Sequence, residues 1–314
     1  MIGSARPSDP QPVTPAAAPG SAGAIPLPAG AESLAMELAC SAAACIANTP
    51  ARSVTTKAHP ADLLTELDTA IESTVRARLR QAFPAHRIVG EEFGSSGDKS
   101  ADHTWFCDPV DGTTNYANDL GWSSFSLCCT DSAGPVLGVV AHPVRRELVL
   151  ARRGAGALRW RLDEDFQPAG QPDRLTVSTT ATLAGTIFAT ELRAHLPWPG
   201  MYPMMDALAA RSCTARILGS SALTLLQVAA GRAAGALISR FSPIDNLASM
   251  LAGTEAGGVC LDRTGAPTVG PAAGGVLLAA PAVAEQLFDI WREATAGVDE
   301  DAGPAAQAAG TLEG

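Results

Sequence analysis

Asp108 and Asp111 stand three residues apart in the run Trp-Phe-Cys-Asp-Pro-Val-Asp-Gly-Thr-Thr-Asn, residues 105–115. The apolar residues before Asp108 predict a strand, and Pro109, with a fixed φ and no N–H, predicts where it stops. Asp-Gly-Thr is turn chemistry. The two carboxylates are therefore expected at a sharp corner with backbone carbonyls between them. Hard divalent cations such as Mg²⁺ favour such an all-oxygen set. Taken alone, the motif reads better as an Asx-rich turn with no ion. Two further acidic elements bear on the choice. Glu91 and Glu92 end a short strand, Glu91 lying seventeen residues before Asp108. Asp245 opens the run Asp-Asn-Leu-Ala-Ser-Met-Leu-Ala-Gly-Thr-Glu-Ala-Gly-Gly, which predicts a helix. By themselves Asp245 reads as a helix cap and Glu92 as a surface carboxylate.

The elements that must position these groups fall into two halves. Dense Ala, Leu and Met predict a helix over residues 31–48, and a second is expected from about Ala61 to Phe83. In the second, Leu64, Leu67, Ile71, Val75 and Leu79 follow three-four spacing. Arg76, Arg78 and Arg80 near its end read as a solvated face favoured by the helix dipole. Ile88–Val89 predicts a short strand. After the aspartate corner, residues 125–130, 136–141, 148–152 and 157–160 read as a strand meander, an antiparallel sheet packed on the two helices. From Leu175 strands and helices alternate, with strands near 186–190, 214–218, 234–238 and 275–279. The expected division is an Ala/Pro-rich disordered extension over 1–30, an α+β half over 31–170 with most of the acidic residues, an α/β half over 171–295, and a flexible tail over 296–314. A Gln/Pro/Gly-rich stretch at 165–175 marks the boundary.

The chain has 314 residues and a formal charge of −10. That balance argues against a general affinity for nucleic acid or an anionic membrane surface. Metal ions can still supply positive charge locally for a phosphate ester. Seven cysteines show no CxxC pair and read as buried thiols. With no spanning segment and no signal pattern, the cytoplasm is the expected compartment. The five histidines are scattered and receive no role.

The ordered set Gly-Glu-Glu, Asp-Pro-Val-Asp-Gly-Thr-Thr-Asn, and Asp before a small-residue helix ending Glu-Ala-Gly-Gly resembles the inositol monophosphatase family. That family belongs to the Mg²⁺-dependent, lithium-sensitive phosphatases. The resemblance covers residues 31–295. It implies an α/β (α+β type) fold, a layered αβαβα sandwich, commonly in a homodimer. It makes Glu91, Asp108, Asp111 and Asp245 side-chain ligands of two or three Mg²⁺ ions, with the Val110 carbonyl as another. Thr113 matches the threonine that orients the attacking water, Asp68 its carboxylate partner, and Lys57 a lysine near the same metals. With Glu91, Asp68 and Thr113 form the implied catalytic group. The amides of Gly112 and Thr113 would hold the substrate phosphate at a helix start. Gly219, Ser220 and Ser221 fall where the family has a substrate-contacting loop.

The chemistry suits the residue types. Paired divalent cations lower the pKa of water and neutralise a leaving oxygen, and carboxylates compensate them without selecting softer metals. The implied activity is hydrolysis of a small phosphorylated metabolite, inositol monophosphate or a related cyclitol or sugar phosphate. Histidinol phosphate, fructose bisphosphate and adenosine bisphosphate are alternatives, as is a catalytically weak regulator that binds a phosphometabolite. Two positions depart from the pattern. Ile244 replaces the family's tryptophan before the last aspartate. Ile238 replaces a glutamate that grips ring hydroxyls in enzymes acting on inositol phosphate, and an isoleucine cannot do this. Arg240, two residues on, is placed to meet a second anionic group instead.

Overall fold

The structure, a computed structural model, describes residues 26–50, 54–56 and 63–297. In chain order its first elements are α1 (Ala31–Asn48), β1 (Val54–Thr56), β2 (Leu63–Thr65), α2 (Glu66–Ala82), β3 (Arg87–Gly90), β4 (Gly94–Ser96), β5 (Thr104–Asp111) and α3 (Thr113–Ala117). The meander follows as β6 (Ser124–Asp131), β7 (Gly134–His142), β8 (Glu147–Arg152), β9 (Gly156–Leu162) and β10 (Pro168–Arg174). The rest alternates: β11 (Ile187–Thr190), α4 (Met201–Ala209), β12 (Thr214–Ile217), α5 (Ser221–Ala229), β13 (Gly235–Ile238), α6 (Pro243–Glu255), β14 (Val259–Asp262), β15 (Val276–Ala279) and α7 (Pro281–Ala294).

Strand alternation builds the layers. In the eight-stranded sheet, ordered β10-β9-β8-β7-β6-β5-β3-β4, Trp105, Cys107, Leu127 and Cys129 share one core with Leu34 and Leu38 of α1 and Val75 and Leu79 of α2. Their neighbours on the opposite face, such as Cys128, Val140 and Val149, pack on Leu223 and Leu226 of α5 and Leu251 of α6. The second sheet, ordered β12-β11-β13-β15-β14, repeats the device. Ala236 and Ile238 of β13 face Leu225 of α5 and Met250 of α6, whereas Leu237 between them faces Met204 of α4 and Leu287 of α7. The result is the expected αβαβα sandwich, with α5 and α6 as its middle layer. All seven cysteines are free thiols, six of them buried.

Four local expectations differ. β5 does not stop before Pro109 but runs through it to Asp111, because a bulge absorbs the proline. The second helix begins at Glu66, since residues 63–65 pair with β1 and Leu64 is therefore a strand residue. Arg76 is buried against Glu72 and not solvated, although Arg78 pairs with Glu37 at the surface. The 165–175 stretch carries an edge strand, β10, in antiparallel register with β9. Among the described residues, no helix is long and apolar enough to cross a membrane.

Candidate metal and phosphate site

The bulge in β5 decides where the two aspartates point. Asp108 pairs with Ser126 and Asp111 with Ser124, so three steps on β5 oppose two on β6. In a regular strand residues three apart face opposite sides; the extra residue returns both carboxylates to one side. Glu91 reaches them from β3. Parallel pairing places Gly90 beside Cys107, and the Glu91 amide continues the ladder by donating to the Cys107 carbonyl at 3.3 Å. Glu91 thus follows β3 where Asp108 follows Cys107. The middle layer brings the fourth acid: Ser126 donates through its hydroxyl to the Asp245 carbonyl at 3.5 Å, docking the start of α6 on β6.

Asp108 is buried, and burial pushes its carboxyl well above the ordinary carboxylate range. The charges of Glu91, Asp111 and Asp245 push it further in the same direction. A buried acid faced by three more acids is a setting that the charge of a divalent cation fits. The fit is one of charge and donor type, not of a closed cage. Among the described residues, no three His, Cys, Asp or Glu side chains already surround one point as a metal-ligating group.

Asp111 is tied to α5. Its Oδ2 accepts from the Ser220 hydroxyl and, at 2.8 Å, from the Ala222 amide, while Oδ1 accepts from the Ser221 amide at 3.2 Å. Burial nonetheless raises its carboxyl to about 6, and Glu91 adds to the rise. The start of α5 is therefore already occupied by a carboxylate, so Ser220 positions Asp111 in this structure. Gly219, with φ of 78°, turns the chain into that helix. Asn115 bridges this turn to α3, donating to the carbonyls of Leu218 and Trp122, each at 2.8 Å.

Asp68 is buried at the first turn of α2. The Thr65 amide donates to its Oδ2 at 2.9 Å, and the Thr65 hydroxyl donates to the same atom. Its Oδ1 lies 3.4 Å from the Thr113 hydroxyl, which also reaches the Val110 carbonyl at 3.0 Å. Burial raises the Asp68 carboxyl, the Thr65 bonds oppose this, and Glu91 adds to it. Thr113 opens α3, a helix of five residues, after Gly112 at φ of 89°. An added Cβ at Gly112 would stand 2.8 Å from the carbonyls of both Gly219 and Trp122, so only glycine fits where the start of α3 meets the turn into α5.

The sequence thus points to groups that meet: Asp68, Glu91, Asp108, Val110, Asp111, Gly112, Thr113, Gly219, Ser220, Ser221 and Asp245 lie on adjoining strand ends and helix starts. Glu92 is half-buried and gives its amide to Glu72. Arg240 is exposed on the turn after β13, and Ile238 is buried beneath it. Lys57 lies outside the described residues.

Two further residues were not singled out from sequence. Asn246 donates to Ser221 Oγ at 2.7 Å and accepts the Ser242 amide at 2.9 Å. Glu191, just past β11, accepts the Gly219 amide at 2.8 Å, the Leu218 amide at 3.2 Å and the Thr224 hydroxyl. Burial raises its carboxyl to about 7. Its only sequence signal is an acid directly after an apolar strand.

Layered sheets with an acidic centre at the strand ends define a phosphatase-type scaffold. A sequence model of the inositol monophosphatase family matches residues 29–296, and the chain belongs to that family. It is 32% identical over 230 residues to a protein of Pasteurella multocida named Nus factor SuhB, covering 73% of this chain and 82% of that one. Two solved structures share the fold. The extragenic suppressor protein SuhB of Bartonella henselae is 25% identical with a TM-score of 0.73, covering 83% of this chain and 98% of that one. The inositol monophosphatase of Anabaena is 28% identical with a TM-score of 0.69, covering 83% and 95%.

Proposed function

We propose that this protein is a Mg²⁺-dependent phosphomonoesterase that releases phosphate from a small phosphorylated metabolite. One observation carries the reading: buried Asp108 is faced by Glu91, Asp111 and Asp245, an excess of negative charge suited to cations and then to a phosphate dianion. Glu91, Asp108, Asp111, Asp245 and the Val110 carbonyl would hold the ions. Bound there, Mg²⁺ would supply Lewis-acid activation of water and stabilisation of the leaving oxygen.

The chain's own residues supply orientation. Thr65 fixes Asp68, and Asp68 fixes the Thr113 hydroxyl beside the Val110 carbonyl. In this reading the Thr113 hydroxyl would orient the attacking water, with Asp68 as the acceptor on the other side of that hydroxyl. The Gly112 and Thr113 amides are assigned to the phosphate. Attack forms one P–O bond and breaks the ester P–O bond, giving the alcohol and inorganic phosphate. Inositol monophosphate or a related cyclitol or sugar phosphate is the default substrate class, and Ile238, in place of a hydroxyl-gripping glutamate, leaves the choice among alcohols to the test. The test is phosphate release from a panel of monoesters, including histidinol phosphate, fructose bisphosphate and adenosine bisphosphate, with and without Mg²⁺. Release from none by folded protein overturns the reading.

A second reading has one observation behind it. The relative from Pasteurella multocida carries the name of a Nus factor, which favours a binding role in place of turnover. Asp108→Asn separates the two: a binding role survives the change, whereas turnover does not.

A further inference from the structure

Glu72 on α2 is fully buried. Its carboxylate lies flat against the strand end that carries Glu91. Oε2 accepts the Glu92 amide at 2.6 Å and Oε1 the Phe93 amide at 3.2 Å. Oε1 also accepts Arg76 Nε at 2.6 Å, one helical turn along. Arg76 continues the clasp, donating Nη1 to Ser96 Oγ at 3.0 Å and Nη2 to the Gly94 carbonyl, while its guanidinium lies 5.8 Å from the centre of the Phe93 ring. The chain has made room for this carboxylate: a Cβ on Gly90 would stand 2.1 Å from Glu72 Oε1.

A buried ion pair adds little net stability, because desolvation offsets most of its attraction. Its usual gain is geometric. Here the geometry held is that of the turn from Gly90 to Gly94, and the side chain this turn aims is Glu91, which is itself exposed. The amides of residues 92 and 93 fix the backbone on the far side of Glu91, as the ladder bond to Cys107 fixes it on the near side.

We propose that Glu72, braced by Arg76, is a positioning residue that holds Glu91 in place for the cation. The inference rests on the metal-site reading above. Glu72 is acceptor-only when ionised and so meets three N–H groups at once; a glutamine turns one of its two terminal atoms into a donor and loses part of that set. Partners of this kind alter metal affinity by about 10- to 100-fold.

The test uses the full chain and three variants. Glu72→Gln breaks the acceptor set. Glu72→Asp keeps the charge beside Arg76 but falls one methylene short of the turn. Leu79→Val, on the same helix and facing the core, lowers stability without touching the turn. Mg²⁺ binding is read by calorimetry without substrate, alongside the Mg²⁺ dependence of phosphate release, KM for the ester, and Tm. The expected result is a roughly tenfold or larger rise in the Mg²⁺ midpoint for both Glu72 variants, with kcat at saturating Mg²⁺ largely recovered. Leu79→Val should move Tm alone. Wild-type Mg²⁺ midpoints in both Glu72 variants overturn the positioning role and leave the metal site standing. Failure of the wild type to bind Mg²⁺ overturns both.

Discussion

Asn246 and Ser221 join the starts of the two middle helices: Asn246 Nδ2 donates to Ser221 Oγ at 2.7 Å. One residue from this contact is Asp245; the Ser221 amide itself meets Asp111 at 3.2 Å. The bond therefore fixes the distance between an acid on α6 and an acid on β5. Asn246→Ala removes it together with the Ser242 bond, both at a buried side chain. The expected cost is about 1–3 kcal/mol in unfolding free energy, read by urea denaturation. The Mg²⁺ midpoint should rise as well.

Asp108→Asn replaces a buried carboxyl that three neighbouring acids crowd. Without metal the variant should be at least as stable as the parent, because the repulsion from Glu91, Asp111 and Asp245 is relieved. Turnover should fall by more than about 100-fold, beyond the range found for residues that only support a metal ligand. Thermal melts in EDTA and in Mg²⁺ separate the effects. Mg²⁺ should raise the Tm of the parent by mass action and that of the variant far less.

Gly112→Ala strikes the contact between the start of α3 and the turn into α5. A left-handed φ of 89° and two carbonyls 2.8 Å from the new Cβ combine strain with overlap. Strain of this kind costs about 1–3 kcal/mol. Phosphate release should fall with a raised KM for the ester, since the Gly112–Thr113 amides move; a variant with parental KM would remove those amides from the phosphate site.

Glu191 gives a pH dependence with a defined sign. Its carboxyl is raised by burial from an ordinary 4.5 to about 7 in the folded chain. Between those values the folded state holds more protons than the unfolded one, so this group's contribution falls as pH rises from about 4.5 to about 7. His142, lowered by burial to about 4, acts in the opposite sense over an overlapping range. The clean measurement is therefore a difference. The Tm of Glu191→Gln relative to the parent should improve steadily from pH 4.5 to pH 7; a flat difference contradicts the assignment.

Much of this architecture can be read from residue spacing. Core positions such as Val75 and Leu79, the meander strands and the four acids announce themselves through period and motif, because burial imposes those periods directly. The supports do not. Glu72 and Arg76 look like an ordinary exposed helix pair at i, i+4, and only the return of the β3–β4 turn over them buries both. The bulge at Pro109 was hidden for a related reason: a proline predicts a strand's end unless the partner strand is known to skip a residue. Ser220 reads as a helix cap from its neighbours, and indeed Leu223 donates to it, but its bond to Asp111 crosses 109 residues of chain. Local signals cannot encode a contact made at that separation.

The acidic centre draws on segments finished at very different times during synthesis. Glu91, Asp108 and Asp111 are available once the first sheet is made, yet Asp245 arrives only with α6, which packs between the two sheets. The proposed four-acid site is complete only once α6 is made, and a chain truncated before α6 should retain the early acids but no assembled centre.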